Sequence, residues 1–249
     1  SGFQGVDTAL PFKTIFQESR LSYSFDFVAN SKNVFQYDDH GTEVFSVIAA
    51  YSPENFVGGA YKANFTLFVT EDVGSEYRIE EYNWLFAAEK ADSAGVDIIN
   101  SSLGYNEFDD PTMDYKVTDL NGSTAIVSLA AKKAIEKGMV VVCSAGNEGS
   151  NSWKFVTPPA DVEGVLAIGS VTTTEIKSSF SSIGPTSDGR IKPDVMALGS
   201  GTSVINPSGS VSASSGTSLA SPLIASLAAG LWQRFPQLTA TELYEAIIN

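Results

Sequence analysis

The chain has one histidine, His40. It stands in Tyr37-Asp38-Asp39-His40-Gly41-Thr42-Glu43-Val44, a polar turn that opens a helix with apolar positions at Val44, Val47 and Ile48. At a helix N-terminus the positive end of the backbone dipole opposes imidazolium formation, so the imidazole is kept as a neutral base unless a carboxylate nearby restores the balance. A capping or surface histidine fits the same segment, although Gly41 leaves room for another stretch of chain to come close. Far downstream, Gly216-Thr217-Ser218-Leu219-Ala220-Ser221-Pro222 puts Ser218 at the start of a helix with a small-residue face of Ala220, Ala225, Ala228 and Ala229. The free N–H groups of a helix start suit a nucleophilic Ser218 whose own amide faces a developing oxyanion. An ordinary Ser/Thr N-cap has the same appearance.

A third segment, Val140 to Gly149, reads as a strand running into Cys143-Ser144-Ala145-Gly146-Asn147-Glu148-Gly149. The carboxamide of Asn147 is a fixed donor for an oxyanion, or else a turn residue tolerant of left-handed geometry. Cys143 is a rival nucleophile for His40, but its β-branched neighbours mark it as buried and inert. Asn100-Ser101-Ser102-Leu103-Gly104 follows another strand end, where open backbone can pair with an extended peptide.

The elements that must position these residues alternate. Continuous apolar runs at Leu21 to Val28, Ala63 to Val69, Val96 to Asn100, Met139 to Cys143 and Val165 to Val171 read as strands buried on both faces. Between them lie helical patterns at His40 to Tyr51, Ile79 to Ala94 and Ser123 to Lys137, the last two closed by Gly95 and Gly138. This order predicts an α/β fold of three layers, doubly wound, with a mostly parallel sheet and helices on both faces. In such sheets ligands bind beyond the carboxyl ends of the strands, where Ser102, Ser144 and Asn147 fall. Thr172 to Ser215 is rich in Ser, Gly, Thr and Pro and reads as hairpins and loops, and two helices, Thr217 to Phe235 and Thr239 to Ile248, close the chain. Residues 1–249 form one domain.

Composition narrows the partners. Fifteen Lys and Arg against 29 Asp and Glu give a net charge of −14, a mean field that repels nucleic acid. One Cys makes no internal disulfide, and with one His it cannot supply the ligands of a zinc site. Only an oxygen-ligand metal stays open. No apolar run approaches the roughly 18 residues of a membrane span, and none reads as a signal peptide. The opening Ser1-Gly2-Phe3-Gln4-Gly5 looks like the middle of a turn, so the expectation is a piece of a longer precursor, trimmed at its N-terminus and also at Ile247-Ile248-Asn249.

In this order the segments closely resemble the subtilisin-like serine proteases, the subtilase family. His40-Gly41-Thr42 is similar to the family's His motif, and Gly216 to Pro222 to its Ser motif. Ser144 to Gly149 resembles the oxyanion-hole segment, and Ser102-Leu103-Gly104 the strand that binds substrate backbone and walls the primary specificity pocket. Phe180 to Pro185 and Asp188 to Val195 match the stretch ahead of the serine. The resemblance implies Ser218 as nucleophile, His40 as general base, Asn147 with the Ser218 amide as oxyanion donors, and Ser102, Leu103, Gly104, Ser144, Ala145 and Gly146 as substrate-binding residues. It also implies a secreted or cell-envelope endopeptidase, monomeric, acting on polypeptides with no required cofactor. Asp109, Asp110 and Asp114 could ligate a structural calcium ion of the kind relatives often carry, or serve merely as a polar loop.

The departures are specific. The family's third residue is an Asp in Asp-Ser-Gly or Asp-Thr-Gly, and this chain opens on Ser1-Gly2. The expectation is that the Asp and its strand lie just before Ser1. Asp7-Thr8-Ala9 is a weaker rival, and Asp38 and Asp39, although near His40 in sequence, are expected to point elsewhere. Without an orienting carboxylate the domain would bind peptides and cut them poorly. Glu43, where many relatives have a second histidine, implies no loss. Glu71, Asp72, Glu76, Glu80 and Glu81 fall where relatives form an edge of the substrate cleft, and solvated surface charge is preferred over a rim selecting basic substrates. An ester-cleaving α/β-hydrolase is disfavoured, because no Gly-x-Ser-x-Gly is present and His precedes Ser.

Overall fold

A computed structural model describes residues 1–249. A short helix α1 (Lys13–Gln17) leads into β1 (Leu21–Asp26), then α2 (His40–Ala49), a small hairpin β2 (Tyr51–Ser52) and β3 (Phe56–Val57), and β4 (Phe65–Val69). Next come α3 (Ile79–Ala94), β5 (Ile98–Ser101), α4 (Ile126–Glu136), β6 (Val140–Ser144) and β7 (Leu166–Val171). The chain ends with β8 (Val195–Leu198), the hairpin β9 (Thr202–Ile205) and β10 (Val211–Ser214), and helices α5 (Thr217–Arg234) and α6 (Ala240–Ile248). No helix is long and apolar enough to cross a membrane.

The central sheet is all parallel, in the order β5-β6-β7-β8. Its strands read as continuous apolar runs because both faces are covered, and residue alternation divides them between two cores. Val141, Cys143 and Ala167 point to the side of α3 and α4, with Trp84, Ala88, Ala131 and Ala134. Val140, Val142, Leu166 and Ile168 point to the other side, against Ala220, Ala225 and Ala228 of α5 and Leu243 of α6. The alanines let α5 lie close on the strands. This is the three-layer arrangement expected from the βαβ order.

Two features depart from the expected layout. First, β1 and β4 pair in parallel as a separate two-stranded sheet. Helix α3 holds both pieces, since Asn83 Nδ2 donates to Thr70 O just past β4 (3.1 Å) and Trp84 Nε1 donates to Ser101 Oγ at the end of β5 (2.9 Å). Second, the stretch 172–215 is not only hairpins and loops, because β8 within it is a core strand paired with β7. Four residues after a proline carry too little periodicity to show as a strand. What fixes β8 is Asp194, whose Oδ2 accepts from Ala167 N (2.8 Å) and from the buried Lys192 Nζ (2.7 Å).

Helix α4 starts later than Ser123. Its N-cap, Ala125, has no side chain to offer, and the cap comes from a neighbouring helix: Glu81 Oε2 accepts from Val127 N at 3.0 Å, while its Oε1 accepts from Tyr115 Oη at 2.7 Å. A carboxylate at that end also meets the positive pole of the helix.

Candidate active site

Ser218 lies in the first turn of α5, whose N-cap is Gly216. Pro222 sits inside this helix, and a proline has no N–H for the carbonyl four residues earlier. That carbonyl belongs to Ser218, and Ser102 Oγ donates to it at 2.8 Å. In return Ser218 Oγ donates to Ser102 O at 3.4 Å. One turn on, Ser221 Oγ donates to Asn100 Oδ1 at 2.8 Å. The start of α5 is thus stitched to the end of β5, which is where the substrate-binding strand was expected.

Asn147 follows the end of β6. Its Oδ1 accepts from both Thr217 N (2.9 Å) and Thr217 Oγ1 (3.0 Å). These bonds cap α5 from outside the helix and fix the carboxamide, so that Nδ2 faces outward with no protein acceptor. The Ser218 N–H, in the first turn, also has no acceptor. A Cβ built on Gly216 would stand 3.7 Å from both Asn147 Nδ2 and Ser218 N. Two unpaired donors therefore border one small void beside the Ser218 side chain, the geometry that stabilises a tetrahedral oxyanion.

His40 opens α2, and its N–H donates to Asp38 Oδ1 at 2.8 Å, so Asp38 caps the turn and does not reach the ring. Val44 and Val47 of α2 share a small apolar cluster with Val204 and with Leu219 of α5, so the two helices pack together. The Nδ1 atom of His40 is 3.1 Å from Ser1 Oγ. Burial holds the imidazole below its ordinary pKa, with Asp38 and Asp39 pulling the other way. Gly41 is tightly overlaid, since a Cβ there would come within 2.1 Å of Gly2 O. Asp7 lies exposed in a turn. The Cys143 thiol is fully buried and pushed up to about 12 by that burial, which removes it as a nucleophile.

Leu103 packs on the α3/α4 core, and Tyr105 N donates to Pro158 O at 3.0 Å. Ser144 and Ala145 are buried at the end of β6, where Ala145 O accepts from Thr157 N at 3.1 Å. Gly104 and Gly146 both face the Thr157 side chain. The contributions of Thr217, Asn100 and Thr157 escaped the sequence reading. The position of Pro222 is the sequence signal for a different link, Ser102 to Ser218, because an unmatched carbonyl must find a donor elsewhere.

The aspartates near residue 110 do not converge. Asp110 Oδ1 accepts from Thr112 N and Oγ1, Asp114 Oδ1 accepts from Phe108 N, and Asp109 Oδ2 accepts from Glu76 N. No three acidic, His or Cys side chains are grouped there.

The acidic stretch is only in part the solvated face expected of it, for Asp72 is exposed but Glu80 and Glu81 are 1% and 0% exposed. Glu71, Asp72, Glu76 and Asp109 border a recess of about 300 Å³. Burial, then neighbouring carboxylates, raise Glu76 to about 7 and Glu80 to about 8 from the ordinary 4.5. Between those limits the folded chain holds protons that the unfolded chain has lost, so stability is highest below pH 4.5 for these groups and declines as pH climbs to 8. Shared among coupled groups, the loss at Glu80 is on the order of 1–2 kcal/mol. Glu80→Gln keeps the acceptor for Asp72 N, which Glu80 Oε1 now provides at 3.1 Å. The expected result is a melting temperature that falls roughly 3–6 °C less than wild type between pH 5 and 8. Parallel curves for the two proteins would mean that Glu80 titrates normally.

Comparison with known proteins identifies relatives over nearly the whole chain. The model of the Subtilase family matches residues 13–249. Subtilisin NAT of Bacillus subtilis subsp. natto is 33% identical over 248 residues, 98% of this chain and 57% of the relative. The subtilisin of Bacillus pumilus is 33% identical over 248 residues, 98% of this chain and 79% of the relative. The chain thus spans little more than half of the first of these proteins. The crystal structure of a cold-adapted subtilisin-like serine proteinase superposes with a TM-score of 0.76 at 25% identity, covering 99% of this chain and 78% of its own.

Proposed function

The chain belongs to the subtilase family, and from that premise we propose that it is the catalytic domain of a serine endopeptidase. In the proposed reaction, Ser218 Oγ attacks the scissile carbonyl while His40 takes its proton. The carbonyl oxygen, now negative, is held by Asn147 Nδ2 and the Ser218 N–H. His40 returns the proton to the leaving amine, and water, activated by the same imidazole, releases the acyl group. No cofactor enters any step. The observation that carries this reading is the pair of unpaired donors set at equal distance from one point beside Gly216.

The orienting carboxylate is assigned to an Asp immediately before Ser1. Two observations support this: Ser1 Oγ already reaches His40 Nδ1, the atom such a carboxylate would hold, and the parallel strands fall into two sheets that α3 bridges. A strand leading to Ser1 and joining those sheets would end at the imidazole. Action on polypeptides, as a monomer that is secreted or held in the cell envelope, is part of the same proposal.

The test uses the full-length protein and a fluorophosphonate probe, with the adduct located by mass spectrometry. A single adduct on Ser218 is expected, together with hydrolysis of an unstructured polypeptide. A folded protein that takes no label and cuts nothing would leave a peptide-binding domain as the reading.

A further inference from the structure

Asn100 is a polar residue on an otherwise apolar face. Side chains alternate along β5, so Ile99 packs on the core beneath α3 and α4 while Ile98 packs on the core beneath α5. Asn100 has the parity of Ile98 and meets α5 directly, with its backbone held in register against Val142 of β6. The hydrogen bonds around it leave its carboxamide one orientation. Pro222 has no N–H for Ser218 O, so Ser102 Oγ sends its single proton there, at 2.8 Å. With that proton committed, the Ser102 hydroxyl can only accept from Asn100, which puts Nδ2 on that side, 3.4 Å away. Oδ1 is left for Ser221 Oγ, which donates to it at 2.8 Å from a residue with 0% exposure. Both ends of one amide therefore bear on the helical turn that carries Ser218, one through Ser102 and one through Ser221.

We infer that Asn100 is a positioning residue for the nucleophile: its amide polarity keeps the Ser102 hydroxyl turned toward Ser218 O and holds Ser221, so that the turn bearing Ser218 is fixed at both ends. The inference rests on the endopeptidase reading and deepens it. Asn100 acts through Ser102 and Ser221 and takes no part in proton transfer. Its own mount is a strand paired with β6, which is stiffer than a loop. Without Nδ2 the Ser102 hydroxyl is free to rotate to other acceptors, and Ser218 O, already without a helix partner, loses its donor. Without Oδ1 the buried Ser221 hydroxyl loses its acceptor on β5. The turn can then shift relative to the oxyanion donors, and a misplacement of about 1 Å costs roughly 100-fold in rate.

The experiment measures kcat, KM and the rate of fluorophosphonate labelling in the full-length protein, with circular dichroism as the check on folding. Asn100→Asp is nearly isosteric and keeps an acceptor for Ser221, but it presents a second acceptor to Ser102 and draws the hydroxyl proton away from Ser218 O. Its kcat and labelling rate should each fall about 10- to 100-fold. KM should stay within about threefold of wild type, and the pH midpoint of kcat/KM, set by His40, should not move. Asn100→Ala should lose a similar factor and carries the test should the aspartate variant fail to fold. The double variant Asn100→Asp/Ser102→Ala should be no slower than Ser102→Ala alone, because no hydroxyl remains to be misdirected. A side chain that only fills space would leave Asn100→Asp at the wild-type kcat. That result, a change in KM alone, or losses that multiply in the double variant would each overturn the inference, while a labelled wild type keeps the endopeptidase reading. A folded wild type that takes no label removes that reading and this one with it.

Discussion

Ser218→Ala and His40→Ala are each expected to lower kcat by about 10⁶, and the double variant by no more than either alone. That magnitude was measured in subtilisin, the family's own worked case, and is carried over to this chain. The physical reason for non-additivity is that the hydroxyl is a poor nucleophile until a base removes its proton, and the base has no other task. His40 is the only imidazole available, so no neighbour can substitute for it. The variants should melt within a few degrees of wild type, since Ser218 Oγ has a single long bond to Ser102 O. Burst and steady-state kinetics on an activated ester, together with probe labelling, check the outcome. Full activity in His40→Ala would end the assignment of a serine–histidine pair.

For Asn147→Ala we expect kcat to drop about 10²- to 10³-fold, or 2.7–4 kcal/mol, with KM nearly unchanged. This range too comes from subtilisin. The loss is confined to kcat because Nδ2 is aimed at the place where charge develops, and the ground-state carbonyl gains little from it. The Ser218 N–H remains, so activity falls without vanishing. A second effect is separable: Thr217 loses the acceptor for its N–H and hydroxyl, which costs about 1 kcal/mol of helix capping and appears as a lower melting temperature. A variant in which KM alone rose would show that Asn147 binds substrate and not the oxyanion.

How far the molecule could be read from its letters varies with the range of the interaction. The strands and helices that place the site were legible because their apolar runs and glycine stops are local signals, as at Gly95 and Gly138, both with positive φ. The three groups to which the proposed function gives chemistry stood out because each follows a strand end or opens a helix. What escaped notice depends on side chains that cross from one element to another. Glu81 looks like surface charge in a one-dimensional pattern, yet it caps a helix 45 residues later in the chain, where Ile126 begins α4. Val195 to Leu198 looks like loop until Asp194 is seen gripping Ala167. Thr157 has no motif around it, and its place between Gly104 and Gly146 exists only in three dimensions.

The proline in α5 shows how alignment is obtained at the expense of helix strength. An alanine at that position would complete the ladder and give a sturdier rod, but Ser218 would then share its carbonyl with the helix, and Ser102 would have a competitor. Because the helix withholds its donor, the end of β5 and the first turn of α5 are tied by a reciprocal clasp. Under the proposed function, that clasp would carry any shift at the end of β5 directly to the Ser218 hydroxyl.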